Sequence, residues 1–244
     1  MKLTAITTCV GYDDYLRVSM PVNGNHFNWW EVVTTPGDHG TYAEANSYFA
    51  DHFNGNVFQC DEFTKDGATF NKGAAINGAL NCDYGDAWIL LLDADILLPA
   101  HFRENLEALT LDRNCIYGMY REECDDVHRF LAGDRSHLKK QHGQAARSIG
   151  MGMFTLFHWD SQTMRERREA GGWLYPDWYG GAERSDRKHM SHWRPEHRGD
   201  SSMARGSPIG IPLPDSLGKL VHFGPHPQHE RPNHAGRVSP RIDK

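Results

Sequence analysis

Residues 88–99 read WILLLDADILLP. Five consecutive apolar residues are followed by two aspartates one residue apart and then by a second apolar run. An apolar run of this length suits a strand buried on both faces, as in the middle of a parallel sheet. An ionised carboxylate buried without a partner costs several kcal/mol or takes up a proton, so Asp93 and Asp95 demand a compensating positive charge. In an open parallel sheet, ligands bind beyond the carboxyl ends of the strands, which places the two aspartates at the mouth of the sheet. Residues two apart in an extended chain point the same way, so the pair is expected to hold one divalent cation together with a diphosphate. A bare D-x-D also fits a turn cap beside a solvated carboxylate, and the surrounding segments must decide.

Those segments alternate between strand and helix. Residues 2–10 and 30–35 are β-prone, and the second run is closed by the turn signal Pro36-Gly37-Asp38. Residues 41–53 carry Tyr42, Ala45, Tyr48 and Phe49 at helical spacing, residues 56–60 return to an extended pattern, and NKGAAINGAL at 71–80 predicts a helix of small residues. Beyond Pro99, HFRENLEAL is helical, CIYGMYREE and MGMFTLFHW are strand-like, and residues 162–169 are helical. The expectation is an α/β chain with a mostly parallel central sheet flanked by helices. At 244 residues it fits one domain. Residues 130–148 read as a polar, basic loop over a site, and residues 194–214, rich in Pro and Gly, as irregular structure.

Charge divides the chain unevenly. Residues 1–120 hold 6 basic and 16 acidic groups, whereas residues 121–244 hold 20 basic and 16 acidic groups and 11 of the 15 histidines. The second half is therefore suited to facing phosphate or another anion. No apolar run approaches the length of a membrane span, and MKLTAITTCV lacks the pattern of a signal peptide, so a cytoplasmic location is expected. Five cysteines without C-x-x-C spacing argue against a disulfide framework or a zinc knuckle. The irregularly spaced histidines after His222 likewise do not form a zinc signature.

Taken in order, FNKGAAINGAL, WILLLDADILLP and the helix that follows resemble the nucleotide-sugar glycosyltransferases of the GT-A fold, of the D-x-D, family-2-like type. The resemblance extends over nearly the whole chain. ITTCVGYDDYLRVSMPVNGNHFNWWEVVTTPGD is similar to their first nucleotide-binding unit, and SIGMGMFTLFH, YGGAERSD and LVHFGP are similar to the acceptor-side strand, the acidic catalytic motif and the C-terminal metal-ligand histidine. It implies a GT-A, Rossmann-like fold with a nucleotide-sugar-binding half at 1–120 and an acceptor-binding half at 121–244. The implied activity is metal-dependent transfer of a hexosyl or pentosyl unit from a nucleoside-diphosphate sugar, UDP-sugar by default, to an acceptor hydroxyl.

Carried over residue by residue, the resemblance makes Asp95 a metal ligand, places Asp93 near the ribose or the metal, and completes the Mn²⁺ or Mg²⁺ site with His222. Thr8, Val10 and Asp38 match positions around the nucleotide base, and Lys72 and Arg237 would meet phosphate. The acidic motif departs from the family's usual adjacent Glu-Asp, offering Glu183 and Asp186 instead. Asp186 is favoured as the base that deprotonates the acceptor, with Glu183 close behind. Ion pairing of these two with Arg184, Arg187 or Lys188 is the competing reading.

The acceptor is expected to be a glycan, a lipid-linked molecule or a small molecule. A hydroxymethylated base of phage-type DNA is an alternative, since the basic stretch 184–198 interleaves His189, His192 and Trp193 with Lys and Arg, as in a groove for a polyanion. A non-catalytic sugar-nucleotide-binding protein on a degenerate GT-A fold is a further alternative.

Overall fold

The computed structural model describes residues 1–52, 54–68, 70–140, 153–176, 186, 188–201 and 207–223. Four parallel strands open the chain: β1 (Leu3–Thr8), β2 (Trp29–Thr34), β3 (Gly55–Gln59) and β4 (Trp88–Leu92). They are joined by α1 (Asp13–Asn23), α2 (His39–His52) and α3 (Lys72–Ala79). After β4 come a two-residue strand β5 (Ile96–Leu97), α4 (Phe102–Glu107), β6 (Ile116–Gly118) and β7 (Arg121–Cys124). Next are α5 (Val127–Leu131), β8 (Lys139–Lys140), β9 (Phe154–His158) and α6 (Gln162–Glu169). Short strands β10 (Gly199–Ser201), β11 (Ser207–Ile209), β12 (Ile211–Pro212) and β13 (Leu220–Phe223) close the described chain.

The central sheet has seven strands in the order β12-β6-β9-β4-β1-β2-β3, and within it β9 runs against its neighbours. Its apolar residues separate cleanly by face. Leu90 and Leu92 of β4 join Leu3 and Ala5 of β1 in a core covered by Leu16 and Met20 of α1, Ala45 and Phe49 of α2, and Phe102 and Leu106 of α4. Ile89 and Leu91 face the other way and join Ile6 and Val33 in a core covered by Ala75, Ile76 and Ala79 of α3 and Met164 of α6. A strand covered on both faces leaves no position for a polar side chain, which is why β4 is apolar throughout and why its aspartates begin where it ends.

A second sheet, β5-β13-β7-β8, stands beyond that end. It draws its strands from three distant parts of the sequence. Asn23, fully buried at the end of α1, ties it to the main body: its Nδ2 donates to the Ile96 carbonyl at 2.7 Å and its Oδ1 accepts from the Leu98 amide at 2.9 Å.

Several expectations are corrected. Residues 94–95 are a turn rather than extended chain, with the Ile96 amide donating to the Asp93 carbonyl at 3.3 Å, so strand alternation does not set the directions of the two aspartates. The stretch 115–123 is two strands, because the chain leaves the central sheet after Gly118 and re-enters the second sheet at Arg121. Residues 194–214 contain β10, β11 and β12; their brevity and prolines removed the period-2 signal. Residues 130–140 carry the end of α5 and β8, while the rest of the expected loop lies outside the described residues. Helix α1 holds Pro21 in its last turn, where it gives up one backbone hydrogen bond.

Asn23→Ala would strip two buried backbone groups of their partner, at about 1–3 kcal/mol each. A loss of about 2–4 kcal/mol is expected, read as a fall in Tm of roughly 5–15 °C for a chain of this size. Circular dichroism melting checks it; a shift within about 2 °C would show that the bridge does not hold the second sheet.

Candidate active site

Lys72 opens α3, whose N-terminus is capped by the Asn71 side chain accepting from the Ala74 amide at 3.0 Å. A lysine at a helix N-terminus opposes the helix dipole, so its position needs a partner. Its ammonium donates to Asp93 Oδ1 at 2.5 Å, with the lysine side chain only 7% exposed. Burial alone would drive the Lys72 ammonium toward neutrality, but Asp93, Asp186 and Asp95 outweigh it and hold the pKa above the usual lysine value. The first positive charge that the two aspartates required is therefore supplied by α3.

The second comes from β13. His222 Nε2 lies 3.3 Å from Asp95 Oδ2, and its Nδ1 donates to Glu123 Oε2 at 2.5 Å. Strand pairing dictates this meeting. In the parallel register of β13 with β7, His222 stands opposite Glu123; on its other side it stands opposite Ile96 of β5, and the Phe223 amide donates to the Asp95 carbonyl at 2.9 Å. Burial opposes a charged His222, yet Asp95 and Glu123 push its pKa up to about 9. Burial also works against the Asp95 carboxylate, but His222 outweighs it and keeps the group below its ordinary value.

The donor set fits a hard divalent cation. Asp95 Oδ1 is buried and has no hydrogen-bond partner, leaving a carboxylate oxygen available. The 3.3 Å between His222 Nε2 and Asp95 Oδ2 is close to the roughly 3 Å edge of an octahedron with bonds near 2.1 Å. Among the described residues no group of three His, Cys, Asp or Glu side chains forms a complete metal cage. Asp93, expected near the ribose or the metal, accepts from Lys72 through Oδ1.

Asp186 is buried and accepts a hydrogen bond from the Tyr175 hydroxyl. Tyr175 is fixed in turn by Asn77 of α3, whose Oδ1 accepts from the Tyr175 amide at 2.7 Å and whose Nδ2 donates to the Tyr175 carbonyl at 2.6 Å. The segment then passes so close to α3 that a Cβ on Gly73 would lie 2.0 Å from the Pro176 carbonyl oxygen. Glycine at that position lets the chain carrying Asp186 approach Lys72. Sequence reading missed Asn77, Tyr175 and Glu123; Asn77 lies within FNKGAAINGAL, but no role was assigned to it.

Asp38 is spent on local structure. Its Oδ2 accepts from the Gly11 amide at 2.7 Å and from Thr41 Oγ1 at 2.6 Å, tying the loop after β1 to the start of α2. Thr8 ends β1 and Val10 packs against the core on the α3 side. Glu183 and Arg237 lie outside the described residues. His189 and Trp193, read as part of a polyanion groove, are both buried; the Trp193 ring packs edge-on to Phe157 and His189. They belong to the core and offer no surface for stacking bases. Arg194 pairs with Glu166 at 3.3 Å.

No family model matches the sequence, and no curated protein matches it. Among solved structures, the chain is similar to a mannosyltransferase from Pyrobaculum calidifontis in complex with GDP-Man and Mn²⁺, with 18% identity, a TM-score of 0.55 and 93% of this chain covered. The chain has the GT-A fold. It spans 58% of the length of that mannosyltransferase. Glucosyl-3-phosphoglycerate synthase from Mycobacterium tuberculosis, in complex with Mn²⁺ and UDP, is a more distant GT-A likeness at 13% identity and TM-score 0.49, covering 95% of this chain and 73% of that one. The inositol-1-phosphate CTP transferase of T. maritima stands at 10% identity and TM-score 0.49, covering 90% of this chain and 88% of that one. At these identities the likeness concerns the fold, and no helix among the described residues is long and apolar enough to cross a membrane.

The aromatic support of Asp186 has a pH signature. His189 is stacked on Tyr175 with ring centroids 4.3 Å apart, and burial first, then His192 and Arg167, hold its pKa well below the usual histidine value. The unfolded chain therefore binds the proton more readily, so this contribution to stability is complete above about pH 6.5 and is lost as the pH falls toward the folded value. Replacing His189 with Phe keeps a ring and removes the titration. The Tm of wild type relative to H189F is expected to fall from pH 7.5 to pH 5; a constant difference would contradict it.

Proposed function

We propose that the protein is a divalent-metal-dependent glycosyltransferase that moves a sugar from a nucleoside diphosphate to an acceptor hydroxyl. The observation that carries this reading is the convergence of Asp95, with one unpartnered buried oxygen, and His222 at the carboxyl end of β4 in a GT-A fold. Asp95 and His222 would hold Mn²⁺ or Mg²⁺, and the donor's diphosphate would furnish further oxygens. When bound, the metal supplies Lewis-acid neutralisation of the departing diphosphate.

The remaining roles rest on the family resemblance, with position in the fold as support where the residue is described. Lys72 sits over the same mouth and offers its charge to phosphate, with Asp93 holding the ammonium in place. The loop after β1, carrying Val10 and braced by Asp38, lies where Thr8 ends the strand and would border the nucleotide base. Arg237 would add a phosphate contact. In an inverting transfer Asp186 takes the acceptor proton at its carboxylate as the hydroxyl attacks the anomeric carbon, with Tyr175 orienting it. Glu183 is the alternative base. UDP is the first donor nucleotide to test, followed by GDP. Glycans, lipid-linked and small-molecule hydroxyls and hydroxymethylated DNA are acceptor classes to screen.

Thermal melting with UDP, GDP, CDP and ADP, each with and without Mn²⁺, tests the donor site, because a ligand that binds the native state alone raises Tm. A metal-dependent rise with one nucleotide is expected, and Asp95→Asn should abolish it without unfolding the protein. Consumption of a nucleoside triphosphate with release of pyrophosphate would assign the chain to nucleotidyl transfer and overturn the proposal. Once an acceptor is found, Asp186→Asn should lower kcat by about 10²–10⁴-fold, the usual contribution of a general base, while leaving nucleotide binding intact.

A further inference from the structure

Glu123 stands outside every motif that suggested the site, yet both of its carboxylate oxygens are engaged beside it. Its two carboxylate oxygens are divided between two partners: Oε2 accepts from His222 Nδ1 at 2.5 Å, and Oε1 accepts from Arg121 Nε at 2.5 Å. Arg121 is itself buried, its guanidinium packed against the Met153 sulfur, so the carboxylate is clamped from behind. Its nearest basic neighbour across β8, Lys139, turns away to Asp125. Because β7 and β13 pair in parallel with Glu123 opposite His222, the contact is fixed by backbone register.

We infer that Glu123 is a positioning residue that holds His222 by Nδ1 and so presents Nε2 beside Asp95 as the metal-binding nitrogen. An ionised carboxylate only accepts, so Nδ1 keeps its proton against Glu123; the proton that a metal would displace is the one on Nε2 facing Asp95, and its loss frees the lone pair on that side of the ring. Carboxylates that hold ligand histidines in this way commonly change metal affinity 10–100-fold when removed. The inference rests on the metal reading of Asp95 and His222. It adds that the site reaches one strand deeper than its ligands, to Glu123 and through it to Arg121.

The test measures Mn²⁺ binding directly, from the electron paramagnetic resonance signal of free Mn²⁺, with UDP and GDP present at equal, high concentration. Wild type, Asp95→Asn, Glu123→Ala and Glu123→Gln are compared, and each is melted without metal. Glu123→Ala is expected to weaken Mn²⁺ binding by about 10–100-fold. Glu123→Gln keeps an acceptor oxygen for Nδ1–H and is expected to stay within roughly threefold of wild type. A folded Glu123→Ala protein that binds Mn²⁺ as wild type does would overturn the inference, as would a Gln variant that melts like wild type and binds as weakly as Ala. Should the Ala variant fail to fold, ¹⁵N spectra of the Mg²⁺-saturated wild type decide: His222 protonated at Nδ1 supports the role, and a proton on Nε2 refutes it. Equal Mn²⁺ binding by wild type and Asp95→Asn would instead fail the metal reading beneath it.

Discussion

The architecture turns on what happens where β4 stops. Up to Leu92 the strand is sealed between two apolar cores, and one residue later the chain must accommodate two carboxylates within a single turn. Each is in direct contact with a cation: Asp93 with Lys72 and Asp95 with His222. Without those partners both aspartates would face desolvation at the edge of a dry interior.

The two cations come from very different distances along the chain. Lys72 is 21 residues from Asp93, one βα unit away, and is delivered by α3 packing on the sheet. His222 arrives only after the chain has completed the central sheet, and its contact with Glu123 spans 99 residues. The small sheet exists to make that delivery: β13 inserts between β5 and β7, so that one backbone ladder aligns the D-x-D turn, the histidine and its carboxylate.

How much of this was legible follows from which interactions are local. The apolar run 88–92, the helix 71–80 and the alternation of strand and helix up to β4 are written in periodicity, and they were read closely because burial on both faces leaves an unambiguous pattern. The need for positive charge beside Asp93 and Asp95 was equally readable, since it follows from electrostatics alone. Family resemblance pointed to Lys72 and His222, but the separate pairing of each aspartate was hidden, because an extended D-x-D and a turned one look the same in sequence. Glu123, Tyr175 and Asn77 were invisible for another reason. Their significance lies in register and in contacts up to 99 residues apart, and no local pattern encodes a cross-strand neighbour. Conversely, Trp193 and His189 looked like a surface because their sequence neighbours are charged, whereas the fold turns their rings into the α3-side core.

A buried ion pair is a poor way to stabilise a fold, since desolvation consumes most of the Coulombic gain. The pairs at this mouth are better understood through what they keep ready. Lys72 retains its charge in a setting where burial alone would remove it, and Asp95 stays ionised with one oxygen unengaged, so a charged ligand meets groups already in the state it requires. Orientation fixed before binding spares the cost of ordering side chains afterwards. On the proposed reading, Lys72 would present its charge to the donor, and Asp95 and His222 their ligand atoms to the metal, from positions set by α3, the β4 turn and the β13 register. The aspartates that look misplaced in an apolar run are therefore where the fold can hold charge rigidly at the boundary of its core.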